Sequence, residues 1–171
     1  MDLADATALI EQADNNERDR RAARLVELTG LLGDAPGLSY GQGAYWLFED
    51  VKATWLYGYF TATVLTAHAF CVQQVSGRLR TLASGADLAR TVESLETFAE
   101  LAQRHGVISL QSRARLVELH DAAKVYLSSD LSTYRRDLEL RVQEAETYAD
   151  EHSLVRDART ALRCCIELRD L

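Results

Sequence analysis

Apolar residues recur at three- and four-residue spacing along most of this chain, the period that lines one face of an α-helix, and strand-like alternation is scarce. Leu9, Ile10 and Ala13 lead into the polar run Asp14 to Arg21, a solvated face in which Asn15-Asn16 marks a place where a helix could break. The pattern resumes at Leu25, Val26, Leu28, Leu31 and Leu32, and Gly33-Asp34-Ala35-Pro36-Gly37 then gives the strongest turn signal in the chain. Gly41, Gly43 and Gly58 bracket an aromatic piece with Tyr40, Tyr45, Trp46, Phe48, Trp55 and Tyr57. At helical spacing such rings read as core or interface rather than as a base-stacking surface.

From Tyr59 to Arg80 the pattern changes, because Phe60, Val64, Leu65, Ala67, Phe70, Val72 and Val75 cover more than one helical face. A helix apolar nearly all round is expected at the centre of a domain or partly buried in a partner. Gly85 separates it from a predicted helix of about 18 residues starting near Asp87, with Leu88, Val92, Leu95, Phe98 and Leu101 as its stripe. Gly106 suits the left-handed residue past that helix's end, Val107 can fold back on its last turn, and Ser109 can cap the next helix. That next stripe runs through Leu110, Leu116, Leu119, Ala123 and Leu127 and stops at Ser128-Ser129-Asp130. A charged helix through Tyr134, Leu138, Val142 and Tyr148 follows, and Ser153 caps a last one bearing Leu154, Ala158, Leu162, Cys165 and Leu168. The expectation is an all-α fold, a single domain over residues 1–171 built as a bundle of six or seven helices.

Composition sharpens this. The chain has 171 residues, enough to bury a core without staples, and its one proline, Pro36, lies outside every candidate helix. A formal charge of −7 argues against general coating of nucleic acid, so any RNA contact would be local. No apolar run reaches the roughly 18 residues of a membrane span, and Met1-Asp2-Leu3-Ala4-Asp5 is acidic rather than a basic prelude to an apolar segment; a cytoplasmic protein with no membrane contact is expected. Cys71, Cys164 and Cys165 form no Cys-x-x-Cys arrangement and read as unpaired thiols. Neighbours on a helix project about 100° apart, so Cys164 and Cys165 are not expected to share a metal or a partner. His68 and Cys71 lie at helical spacing, but a zinc site needs three or four ligands and no second cluster supplies them. A buried thiol and a hydrogen-bonded core histidine are expected there, with no cofactor.

Two segments together resemble the HEPN superfamily, the helical domains of many prokaryotic toxins and defence ribonucleases, and in particular their DUF4145-like relatives. One is Tyr57-Gly58-Tyr59-Phe60-Thr61-Ala62-Thr63-Val64-Leu65-Thr66-Ala67-His68-Ala69-Phe70, which resembles the family's glycine followed by a central helix rich in small residues. The other is the helix pair around His105-Gly106-Val107-Ile108-Ser109, continuing to Ser128. The resemblance covers Tyr57 to Arg80 and Leu95 to Ser128.

Active members of that family carry an Arg near the end of the second helix, a polar residue after it, and a His a few residues on. Laid on this chain, those places fall at Ala123, Lys124 and Ser128. Metal-free RNA cleavage needs a base of near-neutral pKa for the 2′-hydroxyl proton and a fixed cation for the phosphorane charge. A methyl group and an alcohol offer neither. The resemblance therefore implies a catalytically degenerate relative that keeps the family's homodimer, brings its two Ser128 residues near one another, and binds RNA or a protein such as an antitoxin or nucleotidyltransferase. An alternative is a rewired nuclease, in which His120, Lys124 and Tyr126, with Arg113 and Arg115 further up the helix, form the cleft. A further alternative is a helical interaction module of other ancestry that docks a larger protein through Tyr45 to Tyr57.

Overall fold

A computed structural model of the chain describes residues 3–33, 42–82, 94–127, 153–169 and 171. Six α-helices and no strand occur among them: α1 Leu3–Leu32, α2 Gln42–Leu56, α3 Phe60–Leu82, α4 Leu95–Arg104, α5 Leu110–Leu127 and α6 Ser153–Leu168. The fold is all-α. The turn from Asp34 to Pro36, Tyr40, Gly85, the expected helix start at Asp87, the break at Ser128-Ser129-Asp130 and the charged helix through Tyr134 to Tyr148 lie outside the described residues.

Glycine sets two of the junctions. At the end of α2, Gly58 takes φ 74°, its N–H donates to the Trp55 carbonyl, and the Tyr59 N–H donates to that of Thr54. At the end of α4, Gly106 takes φ 70°, with Gly106 N–H on Gln103 and Val107 N–H on Ala102 at 2.8 Å. Both are the paired C-terminal bonds that satisfy the last helical carbonyls and need a left-handed residue, which glycine adopts without a steric penalty. Ser109 then accepts from the Ser112 N–H at 3.0 Å, the expected cap of α5.

The expected break at Asn15-Asn16 does not occur, and α1 runs unbroken for 30 residues. Asparagine costs a helix only a few tenths of a kcal/mol relative to alanine, and Glu17 supports the next turns through Arg21 and Arg24. Ser94, extended in its backbone and accepting from the Thr97 N–H, caps α4 at Leu95, so the predicted stripe of about 18 residues is not one continuous helix.

Helix α3 is the centre. It packs against α2, α5 and α6, and Val64, Ala67, Phe70, Cys71, Val75 and Leu79 are all inaccessible to solvent. Its apolar surface is thus covered within the chain, as one of the two sequence expectations held. Around it stand Phe48, Val51 and Trp55 of α2, Leu116, Leu119 and Ala123 of α5, and Ala161, Leu162 and Leu168 of α6, in one continuous core. Among the described side chains of α1 only Leu28 is buried, and the helix is held by polar ties: Arg159 of α6 grips both carboxylate oxygens of Glu27, and Arg169 donates to the Leu32 carbonyl at 3.1 Å. The aromatic piece divides, with Phe48 and Trp55 in the core and Tyr45, Trp46 and Tyr57 exposed.

The cysteines are unpaired thiols as expected, but Cys164 and Cys165 do share a partner. The Cys71 sulfur lies 3.8 Å from that of Cys164 and 3.7 Å from that of Cys165, all three buried and unlinked. Two neighbours 100° apart on α6 both reach one residue because α3 crosses between their projections. No helix of the described residues is long and apolar enough to cross a membrane.

Candidate functional site

The residues singled out by resemblance lie along α5, and packing divides them. Ala123 is 0% exposed and belongs to the core, while Lys124, about 100° further round, is exposed and pairs with Asp121 at 3.4 Å. An arginine-length side chain at Ala123 would point into Leu116 and Leu119's side of the helix rather than into a groove. Ser128 lies outside the described residues. Arg113 donates to the Gln103 side chain at 3.0 Å, tying α5 to α4, and Arg115 is ion-paired with Glu167 of α6. Tyr126 is half-buried against the core. Of the expected cleft residues, His120 and Lys124 lie near one another, while Arg113 and Arg115 are engaged with Gln103 and Glu167.

His120 has a partner that the sequence did not reveal. His68 of α3 meets it with Nε2 3.0 Å from His120 Nδ1, the rings 5.1 Å apart between centroids. One ring nitrogen carries the hydrogen and the other accepts it, which couples the tautomers of the two rings. Burial holds the pKa of His68 below the ordinary imidazole value, and the neighbouring charge on His120 lowers it further. For His120, desolvation comes first and Lys124 adds to it, while Asp121 and Glu96 pull weakly the other way. The pair is therefore mostly neutral at pH 7, with His120 the more exposed member. A neutral imidazole beside a lysine can accept a proton next to a fixed positive charge.

A second feature lies on another side of the bundle. A cavity of about 650 Å³ opens between α1, the α2–α3 turn and α6. Its aromatic wall is Trp55, Tyr57 and Phe60; its polar wall is Glu17, Arg20, Arg24 and Glu27 from α1 and Arg159 from α6. Arg24 is fixed from several directions: Nε donates to the Leu56 carbonyl at 2.9 Å, Nη2 meets Glu17 at 2.6 Å, and the guanidinium lies 5.8 Å from the Phe60 ring centre. Arg159 lies over Trp55, whose indole N–H donates to the Arg24 carbonyl at 3.2 Å. Desolvation would raise the pKa of Glu17, but the Arg24 hydrogen bond and charge, aided by Arg21, hold it below the usual value. Nothing in the sequence pattern marks this cavity, since Glu17, Arg20 and Arg24 sit in a run that reads as a solvated helix face.

Among the described residues no group of three or more His, Cys, Asp or Glu side chains is arranged to hold a metal ion. Comparison with protein families, with curated proteins and with solved structures finds no match to this chain.

Proposed function

We propose that the chain is a HEPN-like helical module that does not cut RNA, works as a homodimer, and serves to bind RNA or a protein partner. The observation that carries this reading is the buried methyl group of Ala123, at the place where a ribonuclease of the family needs a cation facing its substrate. Support for the ancestry comes from α3 and α5, the two helices that carry the resemblance, which pack directly on each other. Incubation with structured RNA in chelator, followed on a denaturing gel, is expected to leave the RNA intact. Light scattering at micromolar concentration is expected to give a dimer mass, and a monomer counts against the module.

A second reading, a rewired metal-free ribonuclease, is favoured by the His68–His120 contact beside Lys124. Cleavage by this chain that disappears in His120→Ala would establish it and remove the first.

A further inference from the structure

We infer that Cys71, Cys164 and Cys165 form a redox-responsive site, in which Cys71 closes a disulfide with either of the other two and so staples α3 to α6 when a small disulfide oxidant is present. All three cysteines of the chain meet at this one helix crossing, although they come from two distant stretches of sequence. The Cys71 sulfur touches both others, at 3.8 Å from Cys164 and 3.7 Å from Cys165. Sulfurs already in van der Waals contact reach the bonded distance of about 2 Å by side-chain rotation and a small adjustment of the helices. The backbones are near enough for this, because the Cys165 sulfur lies 3.6 Å from the Ala67 carbonyl oxygen and so reaches the main chain of α3 itself. Ala67 of α3 and Ala158 and Ala161 of α6 are all 0% exposed, and such short side chains let two packed helices approach closely.

All three cysteines are 0% exposed, so the oxidant gains access only when α6 lifts locally from α3. One cysteine, deprotonated in that open state, attacks a small disulfide RSSR, forms a mixed disulfide and releases one RSH. When the helices close again, the facing cysteine sulfur attacks the mixed disulfide and expels the second RSH. The two cysteines give up two electrons, RSSR is reduced to two RSH, and both cysteine protons end on the departing thiols. The third cysteine is left beside the new bond and can exchange with it, which passes the link between Cys164 and Cys165. A bond between Cys164 and Cys165 themselves is the poorer product, since helical neighbours project about 100° apart and joining them would distort α6.

The test is to hold the full chain in about 5 mM oxidised glutathione at neutral pH for about a day, then map it by trypsin and mass spectrometry without reduction. Cleavage after Lys52, Arg78, Arg163 and Arg169 puts Cys71 in the peptide 53–78 and the other two cysteines in the peptide 164–169. The expected product is these two peptides joined, from a chain whose intact mass is that of one copy less two hydrogen atoms. Cys164→Ala and Cys165→Ala are each expected to keep the cross-link, and Cys71→Ala to lose it. The oxidised chain is expected to melt at least about 5 °C higher than the reduced one and to return on adding dithiothreitol, because the bond ties positions 93 or 94 apart in sequence. Absence of the joined peptides, a bond confined to 164–169, or glutathione retained on the cysteines overturns the site. So does a cross-link lost in either Cys164→Ala or Cys165→Ala, or a melting temperature that oxidation leaves unchanged or lowers. The peptide map is read on the unaltered chain and decides even where a variant fails to fold. RNA cleavage and dimer mass do not enter these readouts, so failure here leaves the tests of the α5 reading standing, and failure there leaves this one.

Discussion

At the residue scale, the His68–His120 contact makes stability respond to pH. Both folded-state pKa values lie below the ordinary 6.5, first through burial and then through the neighbouring positive charges, with Asp121 and Glu96 as the opposing groups on His120. Above neutrality neither the folded nor the unfolded chain holds these protons and the pair is indifferent to pH. As pH falls through about 6.5 the unfolded chain takes up protons first, so stability drops until the folded pKa values are passed. Urea midpoints measured across pH 5–8 are expected to decline on the acid side, and His120→Ala to flatten the slope; an equally steep decline in that variant would assign it to other groups. Gly58→Ala is expected to cost more than about 1 kcal/mol, because φ 74° strains any L side chain and the new Cβ presses on Arg24. Ala123→Arg is expected to cost several kcal/mol, on the order of 3–5, by forcing a cation into the core, which makes an arginine at this place a destabilising change rather than a gain of activity. Thermal melts of the two variants check both.

At the scale of elements, the helix ends were the most legible part of the sequence. Ser109 and the Gly106-Val107 pair act as local rules dictate, since caps depend on residues within one turn of each other. Gly106→Ala is accordingly expected to lower stability by about 1 kcal/mol, seen as a shifted unfolding midpoint with unchanged slope. Helix interiors were less legible where polar runs were concerned. Asn15-Asn16 looked like a break because its neighbours are polar, yet the Glu17 ion pairs support α1 from within and the grip of Arg159 on Glu27 holds it from another helix. Arg159→Ala is expected to increase amide hydrogen exchange along α1 while leaving α3 protected; uniform exchange across both helices would refute the view that α1 is held chiefly by polar ties.

At the scale of the molecule, the all-α class followed from period and composition, and the central place of α3 from its apolar surface. What sequence reading could not supply were the meetings of distant residues. His68 with His120, Cys71 with both Cys164 and Cys165, and Arg24 with Gly58 each depend on how helices cross, and no local spacing encodes a crossing angle. The same gap explains the candidate site. Ala123 and Lys124 are adjacent in a motif, but only packing decides that one faces the core and the other solvent.

The three clustered sulfurs give this fold an internal clock. Burial pushes the Cys71 and Cys165 thiols up, and for Cys164 the contact with Cys71 does so first and burial second, so alkylating agents find no reactive thiolate while α3 and α6 are docked. During refolding the labelling of Cys71 and of Cys164 and Cys165 should cease together, at the instant when segments more than ninety residues apart close on each other.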